Sequence, residues 1–275
     1  MRTQAEKATA FRALHARAGA FIIPNPWDAG TAKLLAALGF EALATTSLGV
    51  SSALGRPDGA GAVSRRELLE NCAAIAAATD LPVSADLENG YAHEPRAAAE
   101  MIGLAAQAGV VGGSIEDATG DEAKPIYDFA AAVERVQAAV ETARSLGFPF
   151  VLTARAENFL HGRRDLDDTI RRLQAFEKAG ADVLYAPGLR DLATIRTVAS
   201  SVTRPLNVVI GMIDPAITAA ELAQAGVKRI SVGGALCRLA LAHMMRGARD
   251  MKERGSFAWL AEAIPGSELR KTFGG

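Results

Sequence analysis

The stretch AAQAGVVGGSIED, residues 105–117, joins two kinds of structure. An alanine-rich segment runs to Gly109, and a short apolar run follows and ends in Glu116 and Asp117. Glycine supplies the left-handed residue that closes a helix and turns the chain back toward a sheet. The same plan recurs in LAALGFEALATT (35–46), ARSLGFPFVLTAR (143–155), FEKAGADVLYAPG (176–188) and LAQAGVKRISVGG (222–234).

Working outward from these joins, eight strands are expected: FIIP (21–24), ALATT (42–46), PVSADLE (82–88), GGSIE (112–116), FVLTAR (150–155), DVLYAP (182–187), LNVVIG (206–211) and RISVGG (229–234). Helical segments separate them. Eight alternating units of continuous apolar strands predict an α/β fold, a closed parallel (β/α)8 barrel of the TIM type. A doubly wound open sheet is the alternative, disfavoured because no glycine-rich phosphate loop follows the first strand. One domain is expected over residues 1–275, with the barrel at about 20–235 and extra C-terminal helices at about 236–275. Those surplus helices either cap the barrel or reach a neighbouring subunit.

Hydrophobic residues make up 49% of the 275 positions and charged residues 22%, enough for a large core. The 30 basic and 31 acidic residues nearly cancel, and no basic block or aromatic-basic stripe points to nucleic acid. No apolar run approaches a membrane span, and the charged N-terminal segment has no apolar signal core. A cytoplasmic protein with neither membrane nor nucleic-acid partner is expected. Cys72 and Cys237, each in an apolar helical stretch, read as buried small hydrophobes.

A parallel barrel presents its reactive groups at the C-terminal strand ends. That rule gathers Thr46, Ser47 and, in the following loop, Asp58; then Asp86 and Glu88, Glu116 and Asp117, Arg155 and Glu157, and Asn207. One acidic strand end is also the ordinary start of a polar loop. Three successive ends carrying acid or arginine say more. Asp86 and Glu88, two apart, are expected on one strand face, where Glu116 of the next strand can join them. Packed carboxylates repel and rise in pKa unless a cation compensates them. An all-oxygen set without histidine or cysteine suits Mg²⁺, with Mn²⁺ as the substitute. A 2-oxo acid can chelate such an ion through its carboxylate and ketone oxygens, and the ion then stabilises the enolate left when a bond to C3 breaks. Arg155 either neutralises a ligand carboxylate or forms a structural ion pair with a rim acid. Thr46, Ser47 and the Leu48 amide form either an anion cradle or an ordinary capped turn.

Residues 25–59 (NPWDAGTAKLLAALGFEALATTSLGVSSALGRPDG), SADLENGY (84–91), GGSIED (112–117) and LTARAENF (152–159) together resemble the isocitrate lyase/phosphoenolpyruvate mutase superfamily. The resemblance implies a barrel with a Mg²⁺ site that binds 2-oxo acids or related dicarboxylates. It also implies a homotetramer, a dimer of dimers that swap C-terminal helices. By motif it makes Asp86, Glu88 and Glu116 metal-site acids, and Arg155, Asp58 and Glu116 catalytic candidates. Thr46, Ser47, Leu48, Asp86, Arg155 and Asn207 become substrate-binding. The departures bear on the reaction. Lyases of the superfamily carry a Lys-Lys-Cys-Gly-His loop after strand four; here EDATGDEAKPIYDF (116–129) has neither cysteine nor histidine. Ala118 stands where phosphonate-processing members have lysine, and YAPGL (185–189) where methylisocitrate lyases have a glutamate. Glu88 stands where many members have aspartate. Lys124 reads as a solvated loop residue, His93 and His161 as acid/base candidates near the rim, and His15 and His243 as packing or surface residues. The expected function is a Mg²⁺-dependent carbon–carbon lyase or decarboxylase acting on an acid of the oxaloacetate, pyruvate or 2-oxoglutarate class. The alternatives are a 2-oxo-acid-binding protein with little turnover and a phosphonopyruvate mutase or hydrolase.

Overall fold

The computed structural model describes residues 2–59 and 61–274. In chain order they form α1 (Gln4–Ala16), β1 (Phe21–Ile23), α2 (Ala29–Ala37), β2 (Leu43–Ala44), α3 (Ser47–Ala53), α4 (Arg65–Ala77), β3 (Val83–Asp86), α5 (Pro95–Gln107), β4 (Gly112–Glu116), α6 (Phe129–Ser145), β5 (Val151–Arg155), α7 (Leu166–Ala179), β6 (Val183–Tyr185), α8 (Leu192–Ser200), β7 (Leu206–Val209), α9 (Ala219–Gln224), β8 (Arg229–Ser231), α10 (Ala235–Arg254) and α11 (Gly266–Phe273). The strands pair in parallel in the order β1-β8-β7-β6-β5-β4-β3-β2. At the remaining seam the Ala44 amide donates to the Pro24 carbonyl at 3.1 Å. The result is the expected (β/α)8 barrel.

The junction reading holds at four of its five glycines. Gly39, Gly109, Gly180 and Gly226 have φ of 86°, 93°, 105° and 92°, the left-handed region where a side chain would be strained. Gly147 is the exception: α6 ends through Leu146 in extended backbone. The seam is reinforced by buried Asn25. Its Nδ2 donates to the Thr45 carbonyl at 2.9 Å, and its Oδ1 accepts from the Val232 and Gly233 amides at 3.0 and 2.9 Å. One side chain thus ties three strand ends together.

Helix α1 closes the N-terminal end of the barrel. Phe11 and Leu14 pack with Phe21, Val111, Val151 and Val183. Gly112 leaves the space this needs, since a Cβ there would stand 2.8 Å from the Phe11 ring. His15 joins the plug edge-on to Phe11 and Phe21, and burial pushes its pKa down to about 3; it is a packing residue. Cys72 and Cys237 are buried. No helix among the described residues is long and apolar enough to cross a membrane. With its bottom plugged, the barrel opens at its C-terminal end.

Candidate active site

Arg155, the last residue of β5, organises that end. Its Nη1 donates to Asp86 Oδ1 at 2.9 Å and lies 3.1 Å from Glu116 Oε2, while Nε donates to Glu157 Oε1 at 2.9 Å. Strand register makes this possible, because Glu116 on β4 is the direct partner of Arg155. Burial pushes Glu116 well above the ordinary carboxylate range; Arg155 pulls it down, and Glu157, Asp86 and Glu88 push it further up. Glu157 is raised for the same first reason, burial. Burial opposes the charge of Arg155, but Glu116, Glu157 and Asp86 hold its pKa well above the usual value. The arginine stands among the acids rather than across from them.

Glu88 arrives by a different route from the one strand alternation suggests. β3 ends at Asp86, and Glu88 lies beyond it in left-handed backbone, with φ 49°. Tyr91, three residues on, has φ 58° and donates its hydroxyl to Glu88 Oε1 at 2.8 Å. Two such residues together cost roughly 1–2 kcal/mol each. Buried Arg135 of α6 holds the loop in place, donating to the carbonyls of Ala92 and His93 at 2.8 and 2.6 Å and to that of Asn89. Burial raises the Glu88 pKa, and the Asp86 and Asp58 charges add to it. Asp58, in an exposed loop, is raised by burial of its carboxyl and by Asp86. Asp58, Glu88 and Glu116 line one outer cavity of about 750 Å³, with His93 and His161 on its wall.

Asp117 does not reach this rim. It turns inward, where Oδ2 accepts from Arg172 at 2.9 Å and Oδ1 from the Glu157 amide at 2.8 Å. The segment after it is a small hairpin, closed by Thr119 N to Pro125 O at 2.9 Å and Tyr127 N to Asp117 O at 2.8 Å. Lys124 in that hairpin pairs with Asp128 at 2.6 Å, both exposed. The loop brings no cysteine or histidine to the mouth; its Asp121 and Glu122 line the outer cavity.

At the β2 end, Thr46 precedes α3 without capping it through its side chain. The Ser47 amide donates to Asp86 Oδ2 at 3.2 Å, and Thr45 Oγ1 accepts from the Asp86 amide at 2.9 Å. Leu48 packs against the turn into α10, where a Cβ on Gly234 would stand 2.5 Å from Leu48 Cδ2. Gly49 is equally confined, its missing Cβ 2.6 Å from Trp27 Cβ and 2.7 Å from Thr46 Cγ2. Gly49→Ala should therefore push Thr46 out of line. About 1–3 kcal/mol of overpacking is expected, read as a lower Tm and roughly tenfold weaker ligand binding; unchanged values for both would separate Thr46 from the ligand.

Below the rim lies an inner cavity of about 60 Å³. Thr46, Asp86, Arg155 and Asn207 line it together with Thr45 of the β2 end, and so do Asn25, Tyr185 and Arg229, which sequence reasoning passed over. The Tyr185 ring centre is 5.0 Å from the Arg155 guanidinium carbon, and burial keeps its hydroxyl protonated by raising its pKa. The one available sequence signal for Arg229 was its alternation with Ser231 across Ile230, which puts both on one strand face.

Among the described residues no three or more His, Cys, Asp or Glu side chains form a ready-made metal cluster. The donor chemistry nevertheless fits a hard cation. Asp86, Glu116 and Glu157 contact one arginine and Glu88 stands nearby, so acids outnumber the cation; burial is the first cause that raises Glu88 and Glu116, and the neighbouring carboxylates add to it. Mg²⁺ keeps several waters, so such carboxylates need not all touch it.

The fold is an α/β barrel with an acid-rich cluster around Arg155 at its C-terminal mouth. Residues 11–252 match the family model described as phosphoenolpyruvate phosphomutase. The chain belongs to that family, within the isocitrate lyase/phosphoenolpyruvate mutase superfamily. A crystal structure from Burkholderia cenocepacia J2315, provisionally described as a lyase/mutase, is 57% identical with a TM-score of 0.96, covering 99% of this chain and 97% of that one. The oxaloacetate decarboxylase of Ectopseudomonas mendocina is 29% identical over 210 residues, 74% of this chain and 70% of that protein. An oxaloacetate acetylhydrolase solved with its product oxalate is 25% identical with a TM-score of 0.89, covering 100% of this chain and 96% of that one.

Proposed function

We propose that the protein binds a small dicarboxylic 2-oxo acid together with Mg²⁺ (or Mn²⁺) and breaks the bond to C3, with decarboxylation of an oxaloacetate-type acid as the leading reaction. The observation that carries this reading is Arg155 held among Asp86, Glu116 and Glu157 at the barrel mouth. The similarity to an oxaloacetate decarboxylase and to an oxalate-binding acetylhydrolase supports it. Asp86, Glu88 and Glu116 would hold the ion, in part through water. When bound, it supplies Lewis acidity at the ligand's ketone and carboxylate oxygens.

The remaining chemistry falls to this chain's own groups. Arg155 holds a ligand carboxylate once the acids are shared with the ion, and Thr46, Ser47 and Leu48 bound the anion at the β2 turn. As the C3–C4 bond breaks, its electron pair moves into C2–C3, the C2–O π pair moves onto the ketone oxygen, and carbon dioxide leaves. A proton is then returned at C3. Tyr185, a neutral hydroxyl lining the inner cavity, is a donor the site offers. Asp58, raised in pKa by burial and by Asp86, can hold a proton at the mouth.

Pyruvate and carbon dioxide release from oxaloacetate, corrected for the Mg²⁺-catalysed background, tests the reading. Chelator should abolish it and Mg²⁺ should restore it; no release above background retires the decarboxylase. One observation favours a second reading, binding with little turnover: the hairpin after β4 carries no cysteine or histidine. Tight binding of 2-oxo acids without product would establish that reading. No phosphate release from phosphonopyruvate is expected.

The proposal includes a homotetramer made of helix-swapped dimers. In this single chain α11 lies against α2, while Leu239, Met244, Met245, Phe257, Leu260 and Ile264 are half exposed or nearly so. Six large apolar side chains this exposed within residues 239–264 suit a surface that a partner copy covers. Light scattering should give about four times the chain mass.

A further inference from the structure

Arg229 is the least explained charge in the molecule. It begins β8 yet points into the barrel and is only 5% exposed. Nε donates to Asn207 Oδ1 at 2.8 Å and Nη2 to Thr153 Oγ1 at 2.9 Å. Both partners are neutral. Nη1 is buried without a partner, and among the described residues no carboxylate pairs with this guanidinium. Burial lowers its pKa to about 10, which leaves it charged at neutral pH. A buried cation without a counter-ion is costly to keep.

Its position gives that cost a use. Register places Glu116, Arg155, Tyr185, Asn207 and Arg229 in one row across five neighbouring strands. Arg229 and Arg155 therefore line the same inner cavity, with Tyr185 and Asn207 between them in the row. Ser84, Ser114 and Ser231 add hydroxyls to its wall, and no acid other than Asp86 lines it. Charge is thus graded across the mouth. The Arg155 end has excess negative charge and suits a cation; the Arg229 end has excess positive charge and suits an anion. A cavity of about 60 Å³ has room for a few waters or one carboxylate group.

We propose that Arg229, Asn207 and Ser231, with Thr153 holding the guanidinium from behind, form a second anion subsite that takes one carboxylate of the ligand and selects dicarboxylic over monocarboxylic 2-oxo acids. This deepens the function proposed above and rests on it. The other carboxylate and the ketone remain at the rim with Arg155 and the acids. The row spacing supports a short diacid, because Thr153 and Arg155 are two residues apart on β5, roughly 6–7 Å along the strand.

The test is calorimetry on the full-length protein with Mg²⁺, titrating pyruvate and 3,3-difluorooxaloacetate. The wild type should bind the diacid more tightly. Arg229→Met keeps the volume and removes the charge. It should weaken the diacid about 30-fold, as the loss of a hydrogen bond to a charged group does, and leave pyruvate within about twofold. Its Tm should be unchanged or higher, since the uncompensated charge is gone. Should that variant not fold, Asn207→Asp gives Arg229 a built-in counter-ion at the same distance and should cut the diacid-to-pyruvate preference alike. Equal losses for both acids, or no loss for either, overturn the subsite. If the wild type binds neither 2-oxo acid, malonate separates the two ideas: malonate binding that disappears in Arg229→Met keeps the subsite and retires the 2-oxo-acid reading, whereas its absence overturns the subsite as well.

Discussion

Arg155→Met is expected to abolish turnover and to cost about 3–5 kcal/mol of stability, because removing one partner of a buried ion pair strands the other. Here three acids are stranded, since Asp86, Glu116 and Glu157 all lie within 3.1 Å of that guanidinium. The loss should depend on pH in a definite direction. Burial already raises Glu116 and Glu157 above their ordinary range in the folded protein, and Arg155 is what holds them down. Without it they rise further. A carboxyl whose folded pKa exceeds its unfolded one takes up a proton on folding, so stability grows as pH falls through the folded value toward the ordinary one. The variant's Tm should therefore climb as pH falls from the alkaline side toward the ordinary carboxylate range, more steeply than that of the wild type. A Tm deficit that stays constant over this range would show that the acids do not depend on Arg155. Arg155→Lys should fall between the two, retaining charge without the fork that reaches three acids.

Asp86→Asn should have the largest effect on ion dependence. The wild-type carboxylate accepts from Arg155 at Oδ1 and from the Ser47 amide at Oδ2. An amide has one acceptor oxygen, so its NH₂ group must face one of those donors. The variant also loses the charge at the centre of the acid cluster. Losing the ion's several kcal/mol of charge stabilisation corresponds to about a 10³-fold drop in turnover. The pKa values of Glu88 and Asp58 should fall toward the ordinary range, because Asp86 helps to raise both. Mg²⁺ should raise the wild-type Tm by binding the folded state alone, and the variant should lack that shift. Retained turnover together with a retained Mg²⁺ shift would remove Asp86 from the ion site.

Much of this was legible because it is local. Gly109 and its three counterparts at 39, 180 and 226 mark the turns from helix to strand, and their φ values answer to that role. Once those turns place the strands, Asp86, Glu116 and Arg155 fall at strand ends by counting. Glu88 shows where counting stops. Alternation holds only while the backbone stays extended, and three left-handed residues, Glu88, Gly90 and Tyr91, carry this loop instead. Nothing in LENGY announces that Arg135, more than forty positions away, will hold its carbonyls. Asp117 likewise looks like a rim residue beside Glu116, until Arg172 claims it.

The sequence by itself determined the barrel, the acid-rich mouth and the loss of the loop's cysteine, since apolar runs, glycine turns and residue types are properties of short segments. Only the tertiary structure decided which charges meet. Glu116, Arg155, Tyr185, Asn207 and Arg229 come from five strands spread over more than a hundred residues, and they form one row because inter-strand hydrogen bonds set the register. Barrel closure buries that row, and burial makes each pairing, or its absence at Arg229, energetically large.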